Sequence, residues 1–116
     1  MAFHITDFEQ RVRAHVERWD ALEADVAFTP ISPNHGKAVT SAEFDSAGWL
    51  ASVIVWETGE LDLDAGRKAD GWLVTKHYNL DSLDGLDEVL VELVALLRDG
   101  LPPPEAMTSW LDRPNE

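Results

Sequence analysis

Cysteine is absent from the 116 residues. Disulfides, thiolate nucleophiles and sulfur-ligated zinc are therefore excluded, and a reducing compartment suits the chain. Positive charge is scarce: nine Lys and Arg stand against 22 Asp and Glu, a formal net charge of −13. So anionic a surface has no footprint for phosphate backbones, which argues against direct nucleic-acid binding. Long apolar runs are missing too. No window approaches a membrane span, and Met1–Asp7 has neither a basic n-region nor an apolar h-region, so the expected compartment is the cytoplasm. No nucleophile elbow, Walker loop, dinucleotide fingerprint or His-x-x-x-His pair occurs, which leaves catalysis without a local motif. His4, His15, His35 and His77 are scattered without ligand spacing and read as ordinary surface or edge histidines. Asp62, Asp64 and Gly66 run into Arg67 and Lys68, which breaks a calcium-loop pattern. No cofactor, metal or enzymatic activity is expected.

Apolar residues, by contrast, make up 45% of the chain and include five tryptophans, enough to close one core, and the length fits one domain over 1–116. Thr6-Asp7-Phe8-Glu9 has the form of a capping box, and Phe8, Val12, Val16, Trp19 and Leu22 recur at helical spacing, predicting a helix over 7–24. Val26 and Phe28 read as a short strand ended by Pro30, followed by an exposed loop over 31–36. Strands over 38–45, 48–57, 61–64 and 72–78 follow, with a loose connection over 65–71. A second amphipathic helix over 83–99, capped by Asp81 or Ser82, stops before Gly100. A Pro-rich tail over 101–116 carries Trp110 as its one large anchor. The expected fold is α+β: a helix, an antiparallel meander of four to five strands within 26–80, and a helix, with both helices on one face.

The placement of the acids is more informative than their number. From Ala38 to Gly66 there are six carboxylates, Glu43, Asp45, Glu57, Glu60, Asp62 and Asp64, and no Lys or Arg; His77 to Leu97 repeats the pattern. Two readings stand, a wet face that only confers solubility and a surface for a basic partner. Trp49 and Trp56 are an odd number of residues apart on one strand and should point to opposite sheet faces, so one strand tryptophan is left for an interface or for coverage by the tail.

The run Gly48-Trp49-Leu50-Ala51-Ser52-Val53-Ile54-Val55-Trp56-Glu57-Thr58-Gly59-Glu60-Leu61-Asp62-Leu63, with Lys76-His77-Tyr78-Asn79-Leu80 and the Leu-rich helix after it, resembles the TriTu immunity family. The likeness extends to about Gly100 and leaves the tail unmatched. It implies an antidote to a polymorphic toxin of the Rhs or type VI secretion kind, the cognate TreTu toxin being an ADP-ribosyltransferase that uses NAD to modify elongation factor Tu. Under this reading the partner is one toxin domain with a basic cleft, held one-to-one, and the toxin-binding residues are Glu57, Glu60, Asp62 and Asp64, with Trp56 or Trp72 as the anchor. An acidic secretion chaperone or adaptor is the alternative, which a neighbouring toxin gene would argue against. A site assembled from His77, Tyr78 and carboxylates is a third class, requiring a pocket that joins them.

Overall fold

A computed structural model describes residues 5–34, 36–82 and 84–110 of the chain. A 3-10 turn, Ile5–Asp7, leads into α1 (Phe8–Arg13) and α2 (Val16–Ala21). Five strands follow in a meander: β1 (Asp25–Asn34), β2 (Lys37–Asp45), β3 (Trp49–Trp56), β4 (Glu60–Arg67) and β5 (Trp72–Asn79). Helix α3 (Asp84–Asp99) and strand β6 (Met107–Trp110) complete the order, and all six strands form one antiparallel sheet in sequence order. No helix among the described residues is long and apolar enough to cross a membrane.

Strict alternation decides the two faces of the sheet. In β3, Trp49, Ala51, Val53 and Val55 are buried while Leu50, Ser52, Ile54 and Trp56 are not; in β4, Leu61, Leu63 and Ala65 are buried between Glu60, Asp62, Asp64 and Gly66. The buried set meets the helices. Trp19 of α2 packs on Phe44 of β2 with ring centroids 4.8 Å apart, Phe8 of α1 meets Phe28 of β1 edge-on at 6.4 Å, and Leu86, Leu90, Leu93 and Leu96 of α3 close the same core. Truncating one of these leucines to alanine removes contacts on every side and costs about 2–5 kcal/mol. Helix α3 ends where Gly100 takes φ +71°, a left-handed conformation that stops a helix without a Cβ penalty.

Several sequence-based expectations are corrected. The helix expected over 7–24 is two short helices broken at Ala14 and His15. The cause is the Val12 carbonyl, which accepts from the Trp19 indole Nε1 at 2.8 Å and from the His15 amide at 3.1 Å, in place of the Val16 amide of a continuous helix. The capping box does not form: the N-cap is Asp7, without a side-chain bond, and Glu9 instead accepts from Arg13 at 2.8 Å. Pro30 does not end β1. The register shifts between Thr29 and Ser32, and as an edge strand β1 needs no ladder donor from its prolines on the outer side. Strand β4 runs on to Arg67, shrinking the expected connection to a turn at 68–70. The sheet has six strands, not four to five, because Met107–Trp110 of the expected tail pairs with Trp72–Thr75. The histidines at 4 and 35, and the tail beyond Trp110, lie outside the described residues.

The break between α1 and α2 is testable. Trp19→Phe keeps a ring but deletes the indole donor and part of the packed volume, and is expected to lower unfolding stability in urea by about 1–3 kcal/mol. A loss below about 0.5 kcal/mol would show that the indole bond does not hold the break.

Candidate partner-binding face

Among the described residues the second face of the sheet carries no helix. Cross-strand register assembles it in rows: Glu43, Ser52, Asp64, Thr75 and Met107 lie side by side across β2 to β6, with Ser41, Ile54, Asp62 and His77 in the row toward the β3–β4 turn. Leu50, Gly66, Leu73 and Ser109 form the row on the other side. Leu50 is 45% exposed and Met107 75%, so apolar and acidic groups share this open surface. Two hollows indent it. One, of about 490 Å³, is lined by Asp62, Asp64, Thr75, His77, Glu105 and Met107 among others. The other, of about 370 Å³, shares Asp64 and Thr75 with the first and continues over Glu43, Leu50, Ser52 and Leu73.

Of the residues singled out in the sequence, Glu60, Asp62 and Asp64 alternate on β4 and all face this open side, and Trp56, half-buried, lies on it too. Glu57 sits exposed in the tight turn that closes between Trp56 and Gly59, where the Gly59 amide donates to the Trp56 carbonyl at 2.9 Å. Trp72 does not join them. It lies on the helix-bearing face, between Trp49 at 6.1 Å and Trp110 at 6.4 Å, with the Arg67 guanidinium 4.8 Å from its ring. Asp70 holds that guanidinium through two bonds of 2.9 and 2.6 Å. Trp72 is therefore a packing group on the far side of the sheet from the β4 carboxylates. Sequence reasoning overlooked Leu50, Leu73, Met107 and Glu105, and counted Glu43 with Asp64 in one acidic stretch without placing it in the toxin-binding set. The parity of Leu50 within β3 was readable; its neighbours across strands were not.

Electrostatically the face is only partly compensated. Lys68 Nζ reaches Asp45 at 2.6 Å, Lys37 Nζ reaches Glu60 at 3.6 Å, and His77 Nδ1 lies 2.6 Å from Asp62. Partial loss of hydration, reinforced by the Asp62 charge, raises the Asp64 carboxyl above its ordinary 3.8. The His77–Asp62 pair does not extend into a catalytic constellation. Tyr78 points to the other face, where its hydroxyl donates to Glu92 of α3 at 2.7 Å and Lys76 Nζ reaches the same oxygen at 3.4 Å. Burial and that bond push the Tyr78 phenol up. The convergence of His77 and Tyr78 that an enzyme reading needs is absent, and no group of three or more metal-ligating side chains is assembled among the described residues.

A family model described as immunity protein TriTu matches residues 6–96, from the 3-10 turn to the last turns of α3. No curated protein and no solved structure matches the chain.

The Asp62 bond, outweighing the loss of hydration, raises His77 above 6.5, with Asn79 and Glu60 adding to the rise. A histidine whose folded pKa exceeds its unfolded value adds stability that is complete below about pH 6.5 and is lost as pH rises through the folded pKa. The stability difference between wild type and Asp62→Asn should therefore be largest in that acidic range and shrink as the pH climbs. An NMR titration of the His77 ring should show a raised midpoint that falls in Asp62→Asn; equal midpoints would remove the bond from the protein in solution.

Proposed function

The chain belongs to the TriTu immunity family, and on that premise we propose that it binds one cognate toxin domain in the cytoplasm of the producing cell and blocks it by occupying its active-site cleft. In this reading the chain works as a single domain, one-to-one with its toxin. The toxin is an ADP-ribosyltransferase acting on elongation factor Tu, and the blocked cleft is the cationic one that receives the phosphates of NAD. The observation that carries the role is the family match over most of the chain. What supports the surface is the open sheet face, which has Glu60, Asp62 and Asp64 on one strand, Glu57 at the adjoining turn and Trp56 beside them as an apolar anchor. Carboxylates on a molecule of net charge −13 raise the encounter rate with a basic cleft, while an aromatic group in a desolvated centre slows departure.

Two measurements test this. Co-expression with the toxin encoded beside its gene should restore growth and yield a co-purifying one-to-one complex; failure of both would end the immunity reading. Reversing the charges at Glu60, Asp62 and Asp64 should slow association with an inactivated toxin by about tenfold or more at low salt and flatten its salt dependence. Unchanged kinetics would remove the β4 carboxylates from the binding surface.

A further inference from the structure

The cations of the open face leave its centre uncovered. Asp45, Glu60 and Asp62 are each paired, but Glu43 and Asp64 meet no cation among the described residues. These two stand one strand to either side of Ser52, on β2 and β4. With neighbouring strands about 4.8 Å apart, their backbones are roughly 10 Å from each other, and the Ser52 side chain is too short to fill the gap. In the adjacent row Leu50 and Leu73 flank Gly66, which has no side chain, so the two leucines wall a hollow of about 370 Å³ that opens toward both carboxylates.

The shape and charge of this trough select its occupant. Two acids facing each other across such a gap require a cation with donors on both sides, and the leucine walls require an apolar stem. Lysine offers a compact, strongly hydrated charge. Arginine offers a flat, weakly hydrated guanidinium with five donors in a fork, able to meet one carboxylate along each edge while its methylenes lie on leucine. A second copy of this chain would bring the same acids to the same place and be repelled.

We propose that the trough between Glu43 and Asp64 seats an arginine side chain of the toxin, with the guanidinium bridging the two carboxylates and its stem against Leu50 and Leu73. This rests on the immunity reading and adds the contact that sets the lifetime of the complex. Glu60 and Asp62, outside the trough, steer the approach and so act on the on-rate, whereas an arginine seated between Glu43 and Asp64 acts chiefly on the off-rate.

The test uses the full chain and an inactivated form of the toxin domain encoded beside it. Glu43→Gln with Asp64→Asn should weaken binding about 30-fold or more at physiological salt, with the loss in the off-rate. Glu17→Gln with Asp20→Asn on α2 changes net charge equally and should stay within about threefold. Gly66→Val fills the hollow from below. A Cβ there meets only Leu73 Cδ2, at 3.4 Å, so this variant should fold with its thermal midpoint unchanged or raised and still bind poorly. In the wild-type complex the amide signals of Ser52 and Thr75 should shift. The proposal is overturned if wild type binds while both trough variants bind within threefold of it. It is also overturned if Arg113→Gln, in the C-terminal tail outside the described residues, or a change in protein concentration shifts the Ser52 amide in the free protein, which would assign the trough to the chain itself or to a second copy. Absence of wild-type binding would instead bring down the immunity reading, and this contact with it.

Discussion

Alternating burial in β3 and β4 sets the position of every other group. Val53, Val55, Leu61 and Leu63 are sealed beneath the helices, so the residues between them, Ser52, Ile54, Asp62 and Asp64, must face the opposite way. A one-residue slip of β4 would bury Asp62 and Asp64 at a cost of several kcal/mol and expose Leu61 and Leu63, and the same slip of β3 would expose Val53 and Val55, so the register is strongly held. The helices depend on the same alternation. They have one apolar surface on which to lie, and the break between α1 and α2 lets Trp19 reach Phe44 while its indole bonds back to Val12.

Scarce positive charge is used to tie elements together. Every described Lys and Arg except Arg18 meets a carboxylate. Arg11 of α1 bridges Asp84 and Asp87 of α3 at 3.1 and 3.2 Å, Lys68 reaches across to Asp45, and Lys76 secures Glu92 beside Tyr78. Exposed pairs of this kind contribute about 0–1 kcal/mol each, so their effect is less on stability than on where negative charge is left over. It is left over at the centre of the open face, beside exposed Leu50 and Met107. A surface of that composition gains from a cationic, partly apolar partner twice, by neutralisation and by removal of apolar area from water.

The meander and the last helix were legible because their signals are local. Leu61 and Leu63 between acids announce a half-buried strand, and the leucines of α3 repeat at helical spacing up to a glycine. Strand β6 was not legible. Met107, Thr108, Ser109 and Trp110 are all exposed, so no alternation marks them, and the strand exists because β5 offers an unpaired edge at Trp72–Thr75. The helix break was hidden for a similar reason, since the acceptor that interrupts it is claimed by a side chain seven residues away. Trp72 has the residue type of an interface anchor, yet Trp49, Trp110 and Arg67 enclose it on the helix side.

By itself the amino-acid sequence determined the α+β class, the anionic balance, the lack of cysteine and the family, all of which follow from composition, from period two or 3.6, or from a contiguous run of residues. Tertiary structure alone decided which residues share a surface. Glu43, Ser52, Asp64, Thr75 and Met107 come from five different strands, and lateral adjacency depends on register and strand order, which are fixed by packing between distant segments. The candidate binding face is therefore a property of the assembled sheet, with its acids visible in the chain and its trough visible only in the fold.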